Sequence, residues 1–167
     1  MTARVFPRSC GAAEDGYNGA MAKDQVKLVA RTAEDVDVIS ALLQDATVKV
    51  GEMTYRPGER RFACVTNRYR WETVAGKRRR RGERIRSGLH IDFVLKAQVQ
   101  SLALDQTEQV LELLAIRADG DPDVEASLTL VFAGGAAIKL QVDGLEMVLE
   151  DLSEPWRARR RPEHAVD

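Results

Sequence analysis

Cysteine is nearly absent from this chain. Two thiols in 167 residues, Cys10 and Cys64, cannot supply a disulfide framework, and Cys64 sits in an apolar, strand-like run where a thiol behaves as a small buried hydrophobe. A reducing, cytoplasmic setting is expected. Histidine is as scarce: His90 and His164 stand far apart and far from both cysteines, whereas zinc requires closely spaced ligands. No metal or other cofactor is expected. No apolar run approaches the roughly 18 residues of a membrane span, and the N-terminus lacks the apolar centre of a signal peptide. The chain is expected to be soluble, with no membrane span. Phosphate-cradling glycine motifs are also missing, because "AGGAA" at 133–137 lies between strands rather than before a helix. Cys64 with His90 is the one conceivable nucleophile and base, and a buried thiol beside a strand histidine accounts for both more simply. No active site is legible, and an enzyme is not expected.

What the sequence has in quantity is charge, unevenly placed. The formal net charge is only −1. Between Lys77 and Arg86, however, Lys77, Arg78, Arg79, Arg80, Arg81, Arg84 and Arg86 face a single acid, Glu83, for a local charge of +6. Arg157, Arg159, Arg160 and Arg161 add +4, which leaves the remainder of the chain at −11. An acidic body of this kind repels polyanions except where the basic segments project.

Residues 1–20 show no period of 2 or 3.6 and cannot bury a face, so a disordered extension is expected over 1–21, with Met21 a possible natural start. A single α+β domain follows over 22–156, with a basic loop at 72–86, and 157–167 reads as a disordered basic tail. Val26–Ala30 is a strand. Thr32 caps an amphipathic helix with Asp35 three positions on, and Val36, Ile39, Leu43 and Ala46 form its buried stripe. A hairpin spans Thr47 to Trp71, bulged at Gly51, with "RPGE" as a type II turn in which Gly58 takes a positive φ. Phe62, Cys64 and Thr66 share one face of its second strand. "LHIDFVL" places Leu89, Ile91, Phe93 and Leu95 on one face. Further strands at Val99–Leu104, Val110–Arg117 and Leu128–Phe132 precede a tight Gly134-Gly135 hairpin into "AAIKLQV". Asp143 then caps a final helix whose Leu145, Val148, Leu149 and Leu152 fall at i, i+3, i+4 and i+7. The connections are too short for crossover helices. The expected fold is therefore α+β: a largely antiparallel, strongly bent sheet of about seven or eight strands with an N-terminal helix and a C-terminal capping helix, a pleckstrin-homology-like architecture.

Three segments, "SALLQDATVKVGEMTYRPGERRFACVTNRYRWE", "RRRRGERIRSGLHID" and "LTLVFAGGAAIKLQVDGLEMVLEDLSEPW", resemble in order the bacterial family labelled domain of unknown function 2948, seen mainly in alphaproteobacteria. The resemblance runs from about Val26 to Trp156 and implies no activity, cofactor or catalytic residue. It implies a bacterial cytoplasmic setting and a start near Met21.

The basic segment carries the functional expectation. Tyr69 and Trp71 alternate with Arg68 and Arg70 on the strand leading into it; guanidinium forks suit phosphate, and exposed rings stack on bases. The expected anion-binding set is Arg68, Arg70, Trp71, Lys77, Arg78, Arg79, Arg80, Arg81, Arg84 and Arg86, with RNA or another polyanion as partner; anionic lipid is a third possibility. The alternative is a structural or adaptor protein that binds another protein or itself, its arginines serving solubility.

Overall fold

In a computed structural model, residues 25–74, 82–121, 123–159 and 162 are described. Strand β1 (Lys27–Ala30) leads into helix α1 (Ala33–Leu43). Thr32 caps the helix as its spacing to Asp35 predicts: the Asp35 N–H donates to the Thr32 hydroxyl, and the Asp35 carboxylate accepts from the Thr32 N–H. Val36, Ile39 and Leu43 are its buried face. Strands β2 (Ala46–Arg56) and β3 (Arg61–Tyr69) form the expected hairpin, and its register slips between Val48 and Met53, around Gly51. The turn differs from expectation. Pro57–Glu59 is a short 3₁₀ turn, and Arg60 rather than Gly58 takes the left-handed conformation, at φ 53°.

A short helix α2 (Trp71–Val74) follows, then β4 (Glu83–Ile91) and β5 (Val94–Gln100). The strand expected to continue through "LHIDFVL" is broken between Ile91 and Val94, where Phe93 adopts φ 61°. Parity resets there, leaving Phe93 and Leu95 exposed and Val94 buried. Strands β6 (Val110–Asp121), β7 (Glu125–Phe132), β8 (Ala137–Val142), β9 (Met147–Asp151) and β10 (Trp156–Arg157) complete the sheet.

Among the described residues there are ten strands rather than seven or eight, all antiparallel, in the order β1-β9-β4-β3-β2-β6-β7-β8-β5, with β10 beside the first residues of β4. One hydrophobic cluster draws on α1 and on every strand from β1 to β9. The C-terminal capping helix does not form, and the pleckstrin-homology-like reading falls with it. Its residues are β9, inserted between β1 and β4: Leu149 lies opposite both Leu28 and Leu89. The competing period wins because Leu145, Met147 and Leu149 also alternate, and a strand with neighbours on both sides satisfies its backbone in the sheet. The expected basic loop is also shorter than 72–86. Residues 72–74 belong to α2, and Arg84 and Arg86 lie in β4, where buried Ile85 and Ser87 alternate with them. Among the described residues no helix is long and apolar enough to cross a membrane. The expected extension over 1–21 lies outside the described residues.

The two readings of the last segment make different demands on Leu152. A capping helix buries it with Leu149, whereas in β9 Leu149 is buried and Leu152 is 48% exposed. Leu149→Ala is expected to cost about 2–5 kcal/mol and Leu152→Ala about 0.5 kcal/mol or less in denaturant unfolding; equal losses would restore the helix.

Candidate polyanion-binding cleft

The parity of β3 and β4 sorts their arginines between the two faces of the sheet. On the inner face, Arg68 follows Phe62, Cys64 and Thr66 and is 0% exposed. Its Nε and Nη2 donate to Asp151 Oδ1 and Oδ2 at 2.9 and 2.8 Å, and its Nη2 and Nη1 donate to Glu72 at 2.8 and 3.1 Å. Asp151 also accepts from the Ser87 hydroxyl and the Val26 N–H. Burial pushes the Asp151 and Glu72 carboxyls up, but the hydrogen bonds from Arg68 and its charge outweigh it and hold both below the ordinary range. Burial works against the Arg68 charge, and the same two carboxylates more than restore it. Arg70 is likewise buried, with Nη1 2.5 Å from Glu83 and Nε 3.8 Å from Glu72. Trp71 is half-buried; its Nε1 donates to the Gln44 carbonyl at 3.0 Å, and its ring packs against Tyr69 at 4.6 Å. The expected extension of the anion surface by Arg68, Arg70 and Trp71 is therefore corrected. Both arginines are neutralised by acids, and the ring packs within the fold.

The outer face differs. Arg86 is exposed and pairs with Glu52 at 2.5 Å. Arg84 lies over the Tyr69 ring, 6.0 Å from its centroid, and its Nη1 donates to the carbonyls of Asn67 at 3.0 Å and Asp45 at 3.4 Å. The carbonyls and the ring orient its guanidinium without cancelling its charge. Beside it, β10 places Trp156 directly opposite Arg84 and Arg157 opposite Glu83. Ala158 is buried against Tyr69, and its N–H donates to the Gly82 carbonyl at 2.9 Å. Arg157 and Arg159, expected in a disordered tail, are thus held against the sheet. Together Thr47, Asn67, Arg84, Trp156, Arg157 and Arg159 line an open cleft of about 850 Å³. Among the described residues no carboxylate pairs with Arg84, Arg157 or Arg159, so within the described fold these three guanidinium groups are uncompensated.

The root of the arginine-rich segment adjoins this cleft. Tyr69 accepts from the Gly82 N–H at 3.0 Å, and the Arg70 N–H donates to the Glu83 carbonyl at 2.8 Å. A methyl group at Gly82 would run into the Tyr69 ring, so glycine is required there. Lys77, Arg78, Arg79, Arg80 and Arg81 lie outside the described residues.

Of the basic residues singled out in the sequence, the structure places the partly buried Arg84 in this cleft, beside Thr47, Asn67, Trp156, Arg157 and Arg159, which the sequence did not join to it as one group. A signal was present: "WRAR" after Pro155 repeats the aromatic and basic alternation of "RYRW". The conceivable Cys64 and His90 pair does not assemble. They lie on adjacent strands with side chains on opposite faces, and burial pushes the Cys64 thiol up to about 12. Among the described residues no cluster of three or more His, Cys, Asp or Glu side chains is placed to hold a metal.

The ion cluster fixes an acid response. Carboxyls held below their unfolded values stabilise the fold above about pH 4 and lose that contribution as pH falls through their lower folded values. The melting midpoint is expected to fall steeply below about pH 4, and less steeply in Glu72→Gln. Asp151→Ala leaves the Arg68 charge buried and half-compensated and is expected to cost about 3–5 kcal/mol; a loss under 1 kcal/mol in chemical denaturation would show that Arg68 reaches solvent.

Comparison with known proteins adds membership but no activity. No curated protein and no solved structure matches the chain. The model of the family described as "Protein of unknown function (DUF2948)" matches residues 26–164, a span that takes in β1 through β10 and both walls of the cleft. The chain belongs to that family.

Proposed function

We propose that this chain is a non-enzymatic binding domain that engages a polyanion, RNA or another nucleic acid, through the face bearing Arg84, Arg157 and Arg159. The observation that carries the reading is the contrast in charge compensation. Arg68, Arg70 and Arg86 each have a carboxylate partner, whereas the three arginines of the cleft have none among the described residues. An uncompensated cluster on an otherwise acidic protein is maintained against self-repulsion and is suited to phosphate, for which the guanidinium fork is matched in shape. The segment joining Val74 to Gly82 adds five consecutive basic residues beside that cleft in the sequence. A cytoplasmic location belongs to the same reading.

A second reading, a domain that binds another protein or itself, draws on a different feature of the outer face. Ala63, Val65, Gly88, Leu89 and Leu152 line a largely apolar hollow of about 440 Å³. The first reading is preferred because the hollow's charged rim residue Glu52 is already paired with Arg86.

Salt separates the two. Each phosphate contact steepens the fall of affinity by about 0.7–0.9 log units per log unit of salt. Titration of mixed-sequence RNA between low and physiological ionic strength is expected to give a slope of about three to five contacts. Replacing Arg78, Arg79, Arg80 and Arg81 together with Ser is expected to flatten that slope and weaken all sequences alike, with an unchanged melting midpoint. No salt-dependent binding to RNA, single-stranded DNA or anionic vesicles would favour the protein-binding reading.

A further inference from the structure

Charge alone does not account for what lines the cleft. A surface that gathers a polyanion only by attraction needs neither a ring nor a hydrogen-bonding floor, and this one has both. Trp156 is 42% exposed and sits across from Arg84 in the β10–β4 pair, so an accessible indole adjoins an oriented guanidinium. Thr47 and Asn67 face each other across β2 and β3 and form the floor. The Asn67 carbonyl accepts from Arg84, while its side-chain amide and the Thr47 hydroxyl make no bond to another described residue. An aromatic face, uncompensated arginines and an uncommitted amide are the three things a nucleotide offers partners for: a base to stack, a phosphate, and a polar base edge.

We infer that the cleft holds one unstacked nucleotide of a single-stranded nucleic acid, its base against Trp156, its phosphate on Arg84, Arg157 and Arg159, and its base edge toward Asn67. This rests on the polyanion reading and narrows it. The cleft is concave, and a base in a duplex is paired and stacked and cannot enter it, so single strands are favoured over duplex. Arg84 is already oriented by two carbonyls and the Tyr69 ring, which reduces the ordering cost of binding.

The test uses the full chain and three fluorescent probes: a single-stranded RNA of mixed sequence, the same sequence as a duplex, and heparin, a polyanion without bases. Wild-type protein is expected to bind the single strand more tightly than the duplex at equal salt. Trp156→Ala is expected to weaken single-strand binding roughly five- to hundredfold, with the salt slope and heparin affinity unchanged. Trp156→Phe, which keeps a ring, is expected to recover most of the loss, and Asn67→Ala to weaken single-strand binding while leaving heparin affinity unchanged. Melting midpoints of all three variants verify folding. If Trp156→Ala weakens heparin and RNA alike, or neither, the nucleotide site is wrong while polyanion binding stands. If the wild type binds neither RNA nor heparin at low salt, polyanion binding itself fails and takes the nucleotide site with it. If it binds RNA only as duplex, the single-strand assignment is overturned.

Discussion

The bidentate pair between Arg68 and Asp151 is the constraint on which the rest of this molecule depends. Both side chains are 0% exposed, and removing two charges from water costs several kcal/mol per ion, which their attraction offsets only when every remaining donor and acceptor is engaged. Here that condition is met. Asp151 accepts from two nitrogens of Arg68, the Ser87 hydroxyl and the Val26 backbone, and Glu72 takes the outer edge of the guanidinium. These bonds tie β3, β4, β9 and the residue before β1 into one arrangement. A slip of β9 by one residue would turn Asp151 to the opposite face and leave Arg68 buried alone. Register is thereby specified in a region where an apolar run by itself would tolerate sliding.

The same pair decides what the surface can do. Arginine in this protein has two separate roles, divided by side-chain parity. Inward-facing Arg68 is a structural cation held between two carboxylates, Asp151 and Glu72. Outward-facing Arg84 has carbonyls and a ring for neighbours, and those orient it without cancelling its field. The C-terminal segment then adds Arg157 and Arg159 to the lining of the same cleft, with Ala158 between them buried against Tyr69. Electrostatic asymmetry arises from packing: the inner arginines are ion-paired with acids, while among the described residues no acid forms an ion pair with the arginines that line the cleft.

Local signals in the sequence carried most of the first half of the fold. Thr32 with Asp35 marked the helix start, the alternation of Phe62, Cys64 and Thr66 marked the inner face of β3, and Gly51 marked the irregular pairing of β2. Each is decided by neighbours a few residues away. β9 was misread because Leu145, Val148, Leu149 and Leu152 fit a helical stripe, and because the alternating set ends on Asp151, which looks solvent-exposed. Its burial makes sense only with Arg68, 83 positions earlier in the chain. The same distance effect hid the site. Arg68 and Arg84 look equivalent as residues, and only the sheet shows that one is neutralised. Arg157 and Arg159 read as part of a disordered basic tail, and Trp156 as the last residue before it, until β10 pairs with β4.

The strand order also has a bearing on how the chain reaches this structure. β9 comes after β1 to β8 in the chain, yet it lies inside the sheet between β1 and β4, and the Val26 N–H meets Asp151 across 125 positions. Closing so long a loop costs entropy before any contact repays it, and topologies rich in such pairings fold slowly. A nascent chain that has emerged only as far as β8 holds β1 and β4 with unpaired edges and Arg68 without its main counter-ion. Such an intermediate exposes sheet edges of the kind that recruit other chains. Insertion of one five-residue strand covers two edges together and brings Asp151 to the buried Arg68, so completion of the sheet and neutralisation of its buried charge are coupled.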